Sequence, residues 1–412
     1  MARRATYLQT ALLGLLTVIN CSCGGGSSTP APTAPLAAAC KPASPLPFAY
    51  VLNDGDNTVS IYTVNSCTGD LSPITPPTVA TGANAFGSEQ MVVDPAGRFA
   101  YVANLMSNAS DEATISMYTI DSSTGVLTPT MPATVPTGFF PQGIAIDPSG
   151  KFVYTANSDD NTVSMFIINQ TTGVLTPTAP PAVSTLADVS TGLYSSPDAV
   201  TVHPSGKFAY AVNEDDGTVS MFNIDSTTGV LTPTMPATVF AGAIPFDITV
   251  DPSGKFAYVP NNDSGGVMTD GIYQYTIDSV TGVLTQNNPP AVAAGNSPTS
   301  VAVDPFSKFA YVVNRNDNTI SMFTIDPGSG NLTPNTPATI ATGTQPWRII
   351  IDPSGKFAYV TNQSSASVSI YTLNSDGTLT AVGTASTGNN PVSVAITGTT
   401  NRAASGVISA GR

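Results

Sequence analysis

The sequence predicts an all-β fold: a seven-bladed β-propeller of four-stranded antiparallel blades, closed by a C-terminal inner strand in the N-terminal blade. A phrase of the form Phe-x-Tyr-x-x-Asn recurs seven times, starting at Phe48, Phe99, Phe152, Phe208, Phe256, Phe309 and Phe357. Self-similarity at a spacing of roughly 50 residues marks a stacked or radial repeat. Around each phrase, short β-branched and aromatic runs are separated by Pro, Gly, Asp and Asn, which is the pattern of strands and tight turns. The two ends fit one another: the first unit lacks a strand before its phrase, and Pro391 to Thr397 supplies one with nothing after it.

The elements follow in chain order. Arg3 and Arg4 precede an apolar stretch from Tyr7 to Ile19 and a Cys-containing junction, so residues 1–23 read as an export signal. The stretch is too short to cross a bilayer comfortably. The Gly, Ser, Pro and Ala residues of 24–47 read as a flexible tether. A junction cysteine followed by such a tether resembles bacterial lipoproteins, with Cys23, or else Cys21, as the acylated residue and membrane contact through that anchor only. The expected location is therefore periplasmic or at the cell surface, with plain secretion as the alternative. In an oxidising compartment Cys40 and Cys67 are candidates for a disulfide, because antiparallel pairing brings the start of one strand beside the end of the next. The four cysteines have no metal-ligand spacing, and no metal or cofactor is expected.

Residues 48–397 read as one domain, and 398–412 as a disordered tail. The third unit displays the repeat in full. Strand A ends in Ile144-Ala-Ile, the turn Asp147-Pro-Ser-Gly-Lys151 follows, strand B is Phe152 to Asn157, strand C lies within Thr162 to Ile168, and Gly173 opens a short strand D. Pro fits the turn position that wants φ near −65°, and Gly the left-handed one. Proline in strand D, as at Pro177, reads as a stop that protects a free outer edge.

Net charge is −14 with only 10% charged residues, which disfavours non-specific nucleic-acid binding. A monomer is expected, with a small molecule, a glycan or a protein as partner. In a propeller the B–C and D–A loops share one face, here the top, and the A–B and C–D turns share the other. The top loops are acidic, carrying among others Asp54, Asp56, Asp159, Asp160, Glu214 and Asp317 against one cation, Arg315. Three long loops, Asn104 to Thr114, Ser184 to Ser196 and Asn262 to Gly271, distinguish blades two to five.

The residues four before each turn Asp stand at the mouth of the central channel: Gln90, Gly143, Ala199, Asp247, Ser300, Arg348 and, on the closing strand, Ser393. Arg348 beside Trp347, with Arg315 from the neighbouring loop, makes a cationic corner suited to a carboxylate or an oxyanion. Asp247 and, one position earlier on their strands, Glu89, Gln142 and Asp198 face it. The candidate catalytic set is thus Glu89, Asp198, Asp247, Arg315 and Arg348, and the candidate ligand-binding set Gln90, Gln142, Ser300, Trp347, Arg348 and Ser393.

Asp-Pro-x-Gly-Lys-Phe-x-Tyr, Asn-x-x-Asp-Asn-Thr-Val-Ser and Thr-Gly-x-Leu together resemble the Tyr-Val-Thr-Asn propellers, spelled out at Tyr359 to Asn362. More closely they resemble the seven-bladed lactonase-like family, which includes 6-phosphogluconolactonase and muconate-lactonising enzymes. That resemblance covers Phe48 to Thr397 and implies His, Glu and Arg side chains at the channel mouth of active members. The single histidine here, His203, stands in a turn Asp slot on the bottom face, so no Ser-His or Cys-His pair can be assembled. Two readings result: an exported scaffold that binds a ligand or protein through its top face, and a lactonase-like hydrolase of sugar or carboxylic-acid lactones.

Overall fold

The computed structural model describes residues 40, 46–82, 88–105, 113–185, 194–262 and 271–398, with the side chains of 88 and 89 excluded. The expected signal, nearly all of the tether and the tail, most of the three long top loops and the Glu89 side chain lie outside the described residues. So do the acylation candidates Cys21 and Cys23.

The unit Pro42–Arg412 carries seven four-stranded sheets, each antiparallel throughout. In the third blade Pro141–Ile146, Phe152–Asn157, Thr162–Ile168 and Leu175–Ser184 pair in that order. In the first blade Pro391–Ile396 takes the inner position against Phe48–Asn53, with Ala49 opposite Ile396 and Leu52 opposite Ser393. Thr397 N donates to Phe48 O at 2.8 Å, and Phe48 N donates to Thr397 Oγ1 at 2.8 Å, so the ring closes on non-covalent strand pairing.

Strand B is buried along its whole length in nearly every blade because it lies between the faces of two neighbouring sheets. Its phrase reads as three contacts. The tyrosine hydroxyl donates to the carbonyl of the C–D turn glycine one blade onward: Tyr50 to Gly125, Tyr101 to Gly173, and so on until Tyr359 donates to Gly69 and completes the circle. The phenylalanine lies against the same glycine, where a Cβ on Gly125 would come within 2.3 Å of the Phe48 ring. Gly125 also has φ +74°, so close approach and backbone conformation both demand glycine there. The closing asparagine is turned onto its own sheet, where Asn53 Nδ2 donates to Thr58 Oγ1 at 3.1 Å and Ser60 Oγ at 2.8 Å. Thr-x-Ser spacing presents both hydroxyls on one face of strand C.

The turn aspartate works as a backbone cap. Asp147 Oδ1 accepts from Lys151 N at 2.6 Å and Phe152 N at 2.7 Å, while Oδ2 accepts from Ser149 N at 2.9 Å.

Strand D differs from the sequence expectation. It is long, for example Leu127–Pro136, and the expected stop at Pro129 does not end it. The ladder shifts register past Pro129 and resumes with Ser116 opposite Thr134. Strand D pairs on one side only, so a proline whose missing N–H faces outward costs no ladder bond.

Candidate functional site

Side chains on an inner strand alternate between the channel and the sheet interior, and the channel-facing series starts at the predicted mouth position. A cavity of about 280 Å³ fills the channel, and Gln90, Asp247, Ser300, Arg348 and Ser393 line its upper end. Three of these also stitch blades together. Ser393 Oγ accepts from Met91 N at 3.3 Å, Gln90 Oε1 from Ile144 N at 3.0 Å, and Ser300 Oγ from Ile349 N at 3.5 Å. In each contact the side chain accepts, so a hydroxyl proton or the Gln90 amide is not used in that bond.

The charged pair at the mouth is Arg348 with Asp247, Nη1 to Oδ2 at 3.7 Å, the side chains 18% and 10% exposed. It links blades five and seven across Ser300 of blade six. At 3.7 Å the contact is coulombic rather than a hydrogen bond. Arg348 Nε is buried without a partner among the described residues. Asp247 owes its setting to Pro260. The inner strand of blade five is reduced to Thr249–Val250, because Pro260 on the adjoining strand has no N–H for the ladder. Asp247 Oδ1 instead accepts from its own neighbour, Ile248 N, at 2.9 Å.

Trp347 lies beside Arg348 on its strand. The Arg315 guanidinium sits 4.9 Å from the Trp347 ring centroid, and Phe246 meets the same ring edge-on at 6.2 Å. Arg315 Nη2 donates to Gln363 Oε1 at 3.2 Å, and its Nε is also buried and unpartnered among the described residues.

Gln142 and Asp198 are drawn away from this cluster. Gly143 lets the third and fourth inner strands approach so closely that a Cβ there would lie 2.8 Å from Ala199 Cα. At this seam Gln142 Nε2 donates to Asp198 Oδ1 at 3.2 Å, and neither residue lines the cavity. Asp198 hydrogen-bonds the Glu214 side chain as well. Burial pushes the Glu214 carboxyl above the usual carboxylate range, against the hydrogen bond it shares with Asp198 and helped by Asp215. Glu214 was not among the candidate residues, although its slot was legible: it follows the closing Asn213 as Arg315 follows Asn314.

Three acidic residues of the top loops are engaged by neighbouring backbone. Asp160 Oδ2 accepts from Phe139 N, Asp317 Oδ2 from Asn296 N, and Asp56 Oδ2 from Asn389 N, at 2.6 to 2.7 Å. His203 lies in its bottom turn and bridges blades four and five. Its Nδ1 accepts from Ser205 N at 3.0 Å, which places the proton on Nε2, and that group donates to Gly254 O at 2.8 Å. Cys40 and Cys67 are each disulfide-bonded.

The model of the seven-bladed β-propeller lactonase family matches residues 43–191, 182–337 and 285–396. The chain belongs to that family. No match is found among curated proteins. Among solved structures, a candidate 6-phosphogluconolactonase of Bacteroides uniformis is 22% identical with a TM-score of 0.69, covering 85% of this chain and 99% of that one. One from Bacteroides fragilis is 20% identical with a TM-score of 0.68, covering 85% and 98%. The periplasmic gluconolactonase of Pseudomonas aeruginosa is 18% identical with a TM-score of 0.66, covering 85% and 99%. At these identities the neighbours share the propeller fold. In this member of the lactonase family the mouth carries Arg348 and Asp247 in the channel and a separate group, Gln142, Asp198 and Glu214, at the third seam.

Proposed function

We propose that this lactonase-family propeller is exported, tethered by acylation at Cys23 or Cys21, and binds a small carboxylate-bearing ligand at the top mouth of its channel. The observation that carries the reading is Arg348. Its guanidinium is largely buried at the mouth, its carboxylate neighbour stands at 3.7 Å, and its Nε–H has no partner among the described residues. A buried donor without an acceptor costs about 1–3 kcal/mol, which an incoming carboxylate relieves. The oxidised state of Cys40 and Cys67 supports an extracytoplasmic location.

Lactone hydrolysis is the second reading, favoured by family membership and by the convergence of Asp247 with Arg348. It would require Asp247 to take a proton from water while Arg348 polarises the lactone carbonyl. The Asp247 carboxylate already accepts Ile248 N–H and faces a cation, so its oxygens are engaged within the protein and binding has the stronger support.

Calorimetric titration of small carboxylates into the purified protein tests the first reading. Arg348→Gln is expected to weaken binding about 10- to 100-fold, the worth of a charge-assisted hydrogen bond. A panel of sugar and aliphatic lactones tests the second. Turnover that disappears in both Arg348→Ala and Asp247→Asn establishes hydrolysis at this site, whereas binding without turnover leaves the scaffold reading.

A further inference from the structure

Two residues below the mouth, the channel-facing series changes character. The throat is formed by Val92, Ala145, Ala302, Ile350 and Ala395, together with Thr201 and Thr249. The Thr249 hydroxyl is already engaged, donating to Val301 O at 2.7 Å. Of these, Val92, Thr201, Thr249, Ile350 and Ala395 keep part of their surface open, while Ala145 and Ala302 are buried. A cavity of about 280 Å³ lies just under the ~300–1,000 Å³ of drug-sized sites, so it suits a small occupant.

We infer that the channel takes an amphiphile: a carboxylate held at Arg348 with an unbranched aliphatic chain running down the throat, as in a short fatty or hydroxy-fatty acid. The inference rests on the carboxylate reading above and narrows it. A polyhydroxy acid would bury hydroxyls against Val92, Ala302, Ile350 and Ala395, whose side chains carry no acceptor, and each hydroxyl left unpaired costs on the order of 1–3 kcal/mol. An aliphatic chain gains from the same walls.

Trp347 is the single tryptophan of the chain and stands at the mouth beside Arg348, so its emission reports occupancy directly. The full chain is titrated with acetate, butyrate, hexanoate, octanoate and gluconate, following Trp347 fluorescence with calorimetry in parallel. Affinity is expected to rise about fourfold for each methylene until the throat is full. Ala302→Phe, which fills the throat, is expected to flatten that dependence, and the smaller Ala395→Val to shorten the chain length at which it levels off. Arg348→Gln weakens the whole series. Gluconate binding as tightly as hexanoate, or affinity indifferent to chain length in the wild-type protein, overturns the amphiphile while the carboxylate mouth stands. No saturable binding of any carboxylate by either method overturns both.

Discussion

Single side chains explain why the repeated phrase is so uniform. Phe and Tyr of each copy serve the next blade, whereas Asn serves its own, and a Tyr→Phe change at any one copy removes a hydrogen bond worth about 1 kcal/mol. The residues that depart from the repeat are the informative ones. His203 replaces an aspartate that in the third blade caps three backbone amides, and it bonds Gly254 of blade five instead. Burial pushes its imidazole below the ordinary value near 6.5, over the opposing effects of the Gly254 carbonyl and Asp251, with Lys207 adding to the depression. The folded state therefore prefers the neutral ring. This contribution to stability is complete above about pH 6.5 and is lost as pH falls through the lowered value. His203→Asn keeps an acceptor for Ser205 N but does not titrate. Urea midpoints measured between pH 7 and 5 should fall more steeply for wild type than for His203→Asn, and parallel curves would remove His203 as the cause. The position of His203 in a turn was legible from its neighbours Pro204-Ser-Gly-Lys207. Its inter-blade bond was not, because the acceptor lies one whole repeat away.

At the scale of the strand, the inner strand of blade five and the seam between blades three and four set the shape of the mouth. Pro260 stands where other copies have Ala, Val, Leu or Thr, and its missing N–H leaves Asp247 outside the ladder. Pro260→Val should restore that pairing and slow amide exchange at residues 247 to 249 about fivefold, the worth of one net hydrogen bond. Unchanged exchange would show that the short strand has another origin. Gly143→Ala places a methyl against the backbone of Ala199 and should force the two inner strands apart, breaking the Gln142–Asp198 bond and lowering thermal stability. The spacing of four residues before each turn Asp was readable in the sequence, and Gln90, Asp247, Ser300, Arg348 and Ser393 from that series line one cavity, whereas Gly143 and Ala199 do not. The division of the charged residues into two groups was not readable. It arises from a glycine contact between strands distant in the chain, and from the reach of Arg348 across blade six.

For the whole molecule, the decisive contact is the pairing of Pro391–Ile396 with Phe48–Asn53. A chain ending at residue 390 would expose the edge of a fully buried apolar strand, and unpaired edges of that kind recruit other chains. Its unfolding midpoint should drop and its sedimentation should show association, whereas a monomer of native stability would mean that closure matters little. Ring closure was evident in the sequence because the count of strand types was uneven by one. Strand D runs longer than its prolines suggest in the sequence, because at an outermost edge a missing N–H is tolerated.

The clasp from tyrosine to glycine has a direction. Every blade gives its hydroxyl forward and receives one from behind, so all seven interfaces are the same head-to-tail joint, as in a cyclic oligomer written on a single chain. Such a joint has no natural first or last member. The place where the backbone is interrupted is therefore a matter of genetic history rather than mechanics, and a circularly permuted chain opened at another bottom turn would inherit the same seven joints.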